Sequence, residues 1–395
     1  MNQVNDILKA IGRAGRNEDG SYTRACYSPE YFEAVDITEA MMREYGMETS
    51  RDAAGNLHGV LRGTEPGLKS IIIGSHLDTV PSGGLFDGAY GVAGGLEVAR
   101  RFKEKGEKPR HTIELYAFNA EESSPLGGTF GSRAVTGLVS PEQPGLAEAL
   151  KNYGHTVQEI MDCRRDFSGA KCYLELHIEQ GDYLFNEGLK IGVVSGIVSV
   201  IRYKVTAIGH SNHAGTTMMK NRHDAMVAMA RLIAEADRRC RAIDDKLVLT
   251  VGTIKCWPGS ENVIPGKVEC TFEMRHMDKS KTDELIKEIR EIAEGIDTVK
   301  FEIVNMINKG SVSCDASLME VIGEAAKAAG ENPVVMPSGA GHDANPMAHR
   351  VPIGMIFVPS RDGMSHCPEE WTEPEDAAAG AETLYRAVLA LDAGD

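Results

Sequence analysis

Two motifs near opposite ends of the chain carry imidazoles, and carboxylates lie between them. Gly74-Ser75-His76-Leu77-Asp78-Thr79-Val80 follows the β-branched run Ile71-Ile72-Ile73, and His366 sits in Arg361-Asp362-Gly363-Met364-Ser365-His366-Cys367-Pro368. Between them come Asp87 in Gly83-Gly84-Leu85-Phe86-Asp87-Gly88, the pair Glu121-Glu122 after the run 112–120, and His177 in Glu175-Leu176-His177-Ile178-Glu179-Gln180-Gly181. Nitrogen and oxygen donors of these types suit zinc, and they also admit manganese, cobalt or nickel. Two divalent ions about 3.5–4 Å apart can share one carboxylate, an arrangement that serves hydrolysis. The anticipated chemistry is that of a two-metal hydrolase.

Taken singly, each residue has a plainer reading. His76 with Asp78 would be a surface histidine beside a turn, and Asp87-Gly88 a simple turn. Glu121-Glu122 would be a solvated strand end, His177 a satisfied core histidine, and His366 a loop histidine. Their joint order and their placement favour the metal site. The segment 71–75 is too apolar for an exposed strand, and ligands of a parallel sheet bind beyond the carboxyl ends of its strands, where His76 falls. Asp78, two residues on, faces the same way in an extended segment and is placed to accept the other imidazole N–H of His76. Leu115-Tyr116-Ala117-Phe118 reads as a buried strand that ends in acid. Neighbours in an extended chain face opposite ways, so one of Glu121 and Glu122 would meet metal and the other the attacking water.

The elements that must position these groups alternate. Helices are expected over 2–13, 28–46 (capped by Ser28 ahead of Pro29) and 88–103, with strands over 57–63, 70–75 and 111–119. That alternation argues for an α/β fold with a mixed, mainly parallel sheet. The texture changes near Ser195-Gly196-Ile197. A strand over 199–208, a helix over 222–240, strands over 246–254 and 266–276, a helix over 279–294 and a strand over 299–305 follow. This β-α-β-β-α-β order is ferredoxin-like and α+β. Beyond about 312 a helix (316–329), a buried strand (353–358) and a last helix (375–392) return. The expected organisation is a catalytic domain of residues 1–197 and 312–395, interrupted by an inserted domain of residues 198–311.

Composition narrows the function. A chain of 395 residues is long for one core. The formal charge of −16, from 42 basic and 58 acidic residues, together with the lack of a basic stretch, argues against nucleic acid as a partner. Eight cysteines without a Cys-x-x-Cys pair do not suggest a disulfide framework or a zinc–thiolate site. The start, Met-Asn-Gln-Val-Asn-Asp, lacks the pattern of a secretory signal, and no apolar run reaches the length of a membrane span. A reducing cytoplasm is the expected location.

Over essentially its whole length the chain resembles the amidase/hydantoinase/carbamoylase group of zinc-dependent amidohydrolases, within the aminoacylase and carboxypeptidase superfamily. The resemblance rests on Thr23-Arg24-Ala25-Cys26-Tyr27-Ser28, Asp52-Ala53-Ala54-Gly55-Asn56-Leu57, the metal motifs, and Glu373-Pro374-Glu375-Asp376. It implies His76, Asp87, Glu122, His177 and His366 as ligands of two divalent ions, with Asp87 bridging. Glu121 is then the general base and Asp78 the partner of His76. The inserted domain becomes a lid and dimerisation domain, and the protein a homodimer. Ser211-Asn212-His213-Ala214-Gly215-Thr216-Thr217 matches the lid histidine motif, so His213 would hold the oxyanion, across the dimer interface. Asn262 and Arg275 match positions that bind the substrate carboxylate, Gln180 would contact the ureido group, and Ser338-Gly339-Ala340-Gly341-His342-Asp343 matches the glycine loop that closes the pocket. Ile197-Val198-Ser199-Val200 lacks the polar residue often found after the Gly-Ile-Val turn, and Thr217-Met218-Met219 replaces Thr-Pro-Met. These departures bear on substrate identity. The expected reaction is hydrolysis of an N-carbamoyl-L-amino acid to the amino acid, carbon dioxide and ammonia. Allantoate, ureidoglycolate and β-ureidopropionate are alternatives. So are an N-acyl-amino-acid deacylase or metallo-exopeptidase, and a non-catalytic binding protein.

Overall fold

The computed structural model describes residues 3–122 and 124–394. It divides into two compact units, one of residues 1–196 with 313–395 and one of residues 197–312.

The first unit is built around strand Ser70–His76, which is buried at all seven positions. Continuous burial of Ile71-Ile72-Ile73 is what the centre of a parallel sheet requires, because helices cover both faces. Strands Ile113–Phe118 and Ala170–Ile178 pair with it in parallel on either side, and Ile353–Val358 pairs in parallel beyond Ala170–Ile178. Antiparallel strands extend both flanks: Leu57–Leu61 and Glu48–Arg51 on one side, Gly192–Ile197 on the other. The sheet therefore has a parallel centre and antiparallel margins. Helix Ala89–Lys105 packs on Ser70–His76 and on helix Pro374–Ala393. The core joins these helices to the inner strands through Val92, Leu96, Ile73, Leu176, Ile356 and Leu384.

The second unit is a four-stranded antiparallel sheet in the order Lys300–Lys309, Val200–Ile208, Lys267–Arg275, Val248–Trp257. Helices Ala225–Ile243 and Lys279–Glu294 complete a β-α-β-β-α-β chain order. Along Lys267–Arg275 the buried residues are Val268, Cys270, Phe272 and Met274, so one face of the sheet meets the helices.

Several elements differ from expectation. The helix expected over 2–13 begins on a residue outside the described range, and its described part is Val4–Ile11. The helix expected from 222 starts at Ala225 because the Asp224 side chain accepts from the N–H groups of Met226 and Val227 and caps it. Strand Glu48–Arg51 has no apolar residue to announce it, and its register comes from Leu57–Leu61 alone. Helices Phe130–Thr136, Leu146–Asn152 and Val157–Met161 are each seven residues or fewer, too short for a clear period. All eight cysteines are free. No helix among the described residues is long and apolar enough to cross a membrane.

Candidate metal centre

The parallel strands deliver the expected metal-ligating groups to one edge of the sheet. His76 is the last residue of Ser70–His76, and His177 is the last but one of Ala170–Ile178. Asp87 precedes Gly88, the residue that opens helix Ala89–Lys105. Glu121 and Glu122 follow Ile113–Phe118, and His366 follows Ile353–Val358. All five proposed ligands thus gather beyond the carboxyl ends of parallel strands.

Asp87 is the centre of this group. Its Oδ1 lies 3.4 Å from His76 Nε2 and 3.2 Å from His177 Nε2. Its Oδ2 lies 3.0 Å from His366 Nε2, which is in turn 3.3 Å from Glu122 Oε1. Two triads therefore share one carboxylate, His76–Asp87–His177 and Asp87–Glu122–His366, each with donor atoms within 4.8 Å of one another. Glu121 Oε2 stands 3.9 Å from His76 Nε2.

The histidine tautomers suit a cation. His76 Nδ1 lies 2.9 Å from the carbonyl of Asp78, and His177 Nδ1 lies 2.9 Å from the carbonyl of Ile178. Each Nδ1–H donates to a carbonyl, so each Nε2, which faces Asp87, is the nitrogen that a neutral ring would offer to a cation. Two buried oxygens at the centre, Glu122 Oε1 and Gln180 Oε1, have no hydrogen-bond partner. The open Glu122 oxygen, beside imidazole nitrogens and the Asp87 carboxylate, fits a divalent cation.

Electrostatics agree. Burial opposes ionisation of Asp87, yet hydrogen bonding with His177, His366 and His76 holds its carboxyl well below the usual range. The contact with Asp87 lifts His366 to about 9, against partial burial. Burial, reinforced by Asp87, pushes Glu122 up to about 7. Burial also pushes Glu121 well above the usual carboxylate range; His76 opposes this, and Asp343 and Glu122 add to it. A carboxyl poised to hold a proton suits a group that must take one and return it.

Two local expectations need correction. The carboxylate of Asp78 stays 3.7 Å from His76 Nδ1 and instead accepts from the backbone N–H groups of Glu121 and Glu122, each at 3.1 Å. It is the Asp78 carbonyl that fixes the His76 tautomer. Glu121 and Glu122 do not follow an extended segment either. Ala120 has φ 56°, a left-handed residue that turns the chain after the strand, and both carboxylates reach the site, Glu121 beside His76 and Glu122 beside His366. Gln180 (φ 60°) and His366 (φ 59°) share that conformation, and such residues cluster where function holds them in place.

The remaining site residues fall in both units. Gln180 Nε2 donates to Asp87 Oδ2 at 2.9 Å and lies 3.2 Å from His366 Nε2. Ser338 is buried, and its hydroxyl lies 2.8 Å from His342 Nε2; Gly339 is exposed. His213, Asn262 and Arg275 lie in the second unit. His213 pairs with Val263 in an antiparallel bridge, and Ala214 N–H donates to the Asn262 carbonyl at 2.9 Å, so His213 and Asn262 occupy adjoining segments. Both are exposed. Arg275 donates to Glu273 Oε1 through Nε (2.9 Å) and a terminal nitrogen (2.7 Å), the ion pair expected of an ordinary surface arginine.

Three residues at the centre were not expected there. His342 sets its ring edge against His177, with centroids 4.5 Å apart, and burial together with the charge of His177 keeps it neutral. Glu175 accepts from the hydroxyls of Ser75 and Tyr173, both at 3.1 Å, and from Ala344 N–H at 2.8 Å, tying the strand of His177 to the loop after Ser338. Glu370 lies among the residues around Asp87 and His366. The period-two position of Glu175 in a buried strand is a visible signal, and His342 lies in the glycine-loop motif 338–343; Glu370 has none beyond its residue type.

The profile of peptidase family M20/M25/M40 matches residues 72–390. The chain is 38% identical over 400 residues to an N-carbamoyl-L-amino acid amidohydrolase of Geobacillus stearothermophilus, covering 98% of each protein. It is 36% identical over 396 residues to an allantoate amidohydrolase of Escherichia coli, covering 96% of this chain and 95% of that one. Among solved structures, a hydantoinase/carbamoylase family amidase from Burkholderia ambifaria superposes with a TM-score of 0.88 at 32% identity, over 98% of this chain and 96% of the other.

Proposed function

The chain belongs to peptidase family M20/M25/M40 and is an amidohydrolase of the carbamoylase and allantoate amidohydrolase type; on that premise we propose that it hydrolyses the ureido C–N bond of an N-carbamoyl-L-amino acid at a two-metal centre. The observation that carries this reading is the shared carboxylate: Asp87 faces His76 and His177 with one oxygen and His366 with the other, and Glu122 joins on that second side. His76, Asp87 and His177 would hold one divalent ion, and Asp87, Glu122 and His366 the second, zinc being the first choice. When bound, such ions supply Lewis acidity toward water and toward the scissile carbonyl.

The chain's own residues do the rest. Glu121 accepts a proton from the attacking water and returns it to the departing nitrogen. Asp78 holds Glu121 and Glu122 by their backbone N–H groups, so base and ligand keep a fixed separation. Gln180 keeps its amide N–H on Asp87 and leaves its carbonyl oxygen for an N–H of the substrate. In this reading His213 stabilises the oxyanion and Arg275 and Asn262 bind the substrate carboxylate, as the family resemblance implies. A homodimer, with those three residues completing the partner's site, is part of the same proposal. Ser338 supports His342 in the closing loop, and Gly339 leaves backbone room there.

Ammonia release from a panel of N-carbamoyl-L-amino acids, allantoate, ureidoglycolate and β-ureidopropionate, with zinc, manganese or cobalt supplied, tests the proposal. The highest kcat/KM should fall on an N-carbamoyl-L-amino acid. A higher value for allantoate or another member moves the substrate assignment. Amine release from an N-acyl amino acid, with no ammonia from any ureido acid, overturns it.

A further inference from the structure

Resting on the two-metal reading, we propose that Glu370 is a positioning residue that locks the bridging Asp87 and the metal-facing His366 to one another. Glu370 is 4% exposed. Its Oε1 accepts from the backbone N–H of Phe86 at 2.9 Å and of Asp87 at 3.0 Å. Its Oε2 accepts from the hydroxyl of Ser365 at 2.9 Å, the residue before His366. One carboxylate thus clasps two loops that stand 283 residues apart, counting from Asp87 to Glu370 itself.

The surroundings are shaped for this clasp. A Cβ on Gly84 would lie 2.1 Å from Glu370 Oε1, so the loop before Asp87 leaves room only for that carboxylate. Phe86 packs edge-on against Trp371 at 5.5 Å between ring centres, which presses the same two segments together. The three donors to Glu370 are neutral groups. A carboxylate taken out of water and met by neutral donors gives little net stability for its desolvation. What it does define is geometry. His366 sits at φ 59°, a conformation that persists only where its surroundings over-determine it, and the bond from Ser365 to Glu370 is one such restraint. Through it the His366 ring is held 3.0 Å from Asp87 Oδ2. Glu370 touches none of the reacting atoms; it acts through Asp87 and His366.

The test is cobalt(II) and zinc binding to the full-length protein, by chelator competition and visible absorption, with the melting temperature of the chelator-treated protein as a second readout. Wild type should take up two ions. Glu370→Ala should bind the ion on the His366 side more weakly by a factor on the order of 10–100, the range typical for lost outer partners of metal ligands. The ion on His76 and His177 should change far less. Glu370→Gln keeps an acceptor for the two N–H groups and a donor toward Ser365, so it should restore most of that affinity. Ser365→Ala should weaken the same ion by a smaller factor. Both ions bound at wild-type affinity by a folded Glu370→Ala would overturn the proposal, as would a loss of melting temperature without any change in ion affinity. If Glu370→Ala fails to fold, Ser365→Ala decides alone, unchanged affinity counting against the clasp. Wild type that binds no divalent ion overturns the metal reading itself, whereas two ions in wild type with no effect of the variants overturns only the role of Glu370.

Discussion

Replacing Gly88 by alanine should damage the site by moving His76. Gly88 has φ 66° and ψ −54°, a conformation that side-chain-bearing residues rarely adopt. An added Cβ would stand 2.4 Å from both Cε1 and Nδ1 of His76 and 2.5 Å from its Cδ2. Ordinary contact begins near 3.4 Å, so the ring must withdraw by about 1 Å, a displacement that can cost on the order of a hundredfold in rate. The ring is buried and held by the Asp78 carbonyl at 2.9 Å, so it has little freedom to yield. The backbone term is about 1–3 kcal/mol and forced overpacking adds about 1–3 kcal/mol. Gly106 is the comparison: it has the same φ of 66° but ψ 20°, in the left-handed region that side-chain-bearing residues can adopt, and nothing lies within 4 Å of its would-be Cβ. Gly106→Ala therefore carries only a backbone term, smaller than that at Gly88, so turnover is the readout that reports the crowding of His76. The assay is thermal unfolding together with metal-activated turnover for both variants. Gly88→Ala should melt lower than Gly106→Ala and lose about two orders of magnitude in kcat, while Gly106→Ala keeps its turnover. Equal melting and equal turnover for the two would refute the argument that His76 leaves no room beside Gly88.

Other outcomes follow from the same geometry. Glu121→Gln should abolish ammonia release while zinc stoichiometry and substrate binding, read by calorimetry, stay intact; unchanged turnover would remove Glu121 as the base. In chelator-treated protein, stability should fall as the pH rises. His366, raised to about 9, contributes stability that is full below its ordinary 6.5 and lost as the pH passes 9, and Glu122, raised to about 7, favours the fold below 4.5 and loses that contribution as the pH passes 7. Melting curves between pH 4 and 10 should show this slope, and His366→Ala should flatten its alkaline part. Mixing inactive Glu121→Gln with inactive His213→Ala should restore part of the activity, and failure to do so in demonstrated heterodimers would argue for sites made within one chain.

Much of this architecture can be read from pattern. Ile71-Ile72-Ile73 and Leu115-Tyr116-Ala117-Phe118 are continuous apolar runs, the mark of strands covered on both faces, and each ends in the residues that meet at the site. The alternation of Val268, Cys270, Phe272 and Met274 likewise announces a sheet with one face on helices. What escaped the pattern depends on contacts remote in sequence or on single backbone angles. Glu369-Glu370 looks like any solvated acidic pair until Phe86, Asp87 and Ser365 are folded around Glu370. The left-handed turn at Ala120 interrupts the extended segment expected up to Glu121 and Glu122, and alanine gives no local signal for φ 56°. Spacing places the Asp78 carboxylate beside His76, but two backbone N–H groups claim it first.

The most direct test of the shared-carboxylate centre is a diffraction experiment on zinc-loaded protein at the zinc absorption edge. Two anomalous peaks should flank Asp87, one within coordinating reach of His76 and His177 and the other of Glu122 and His366. A single peak, or peaks away from Asp87, would contradict the two-metal centre on which the proposed hydrolysis rests.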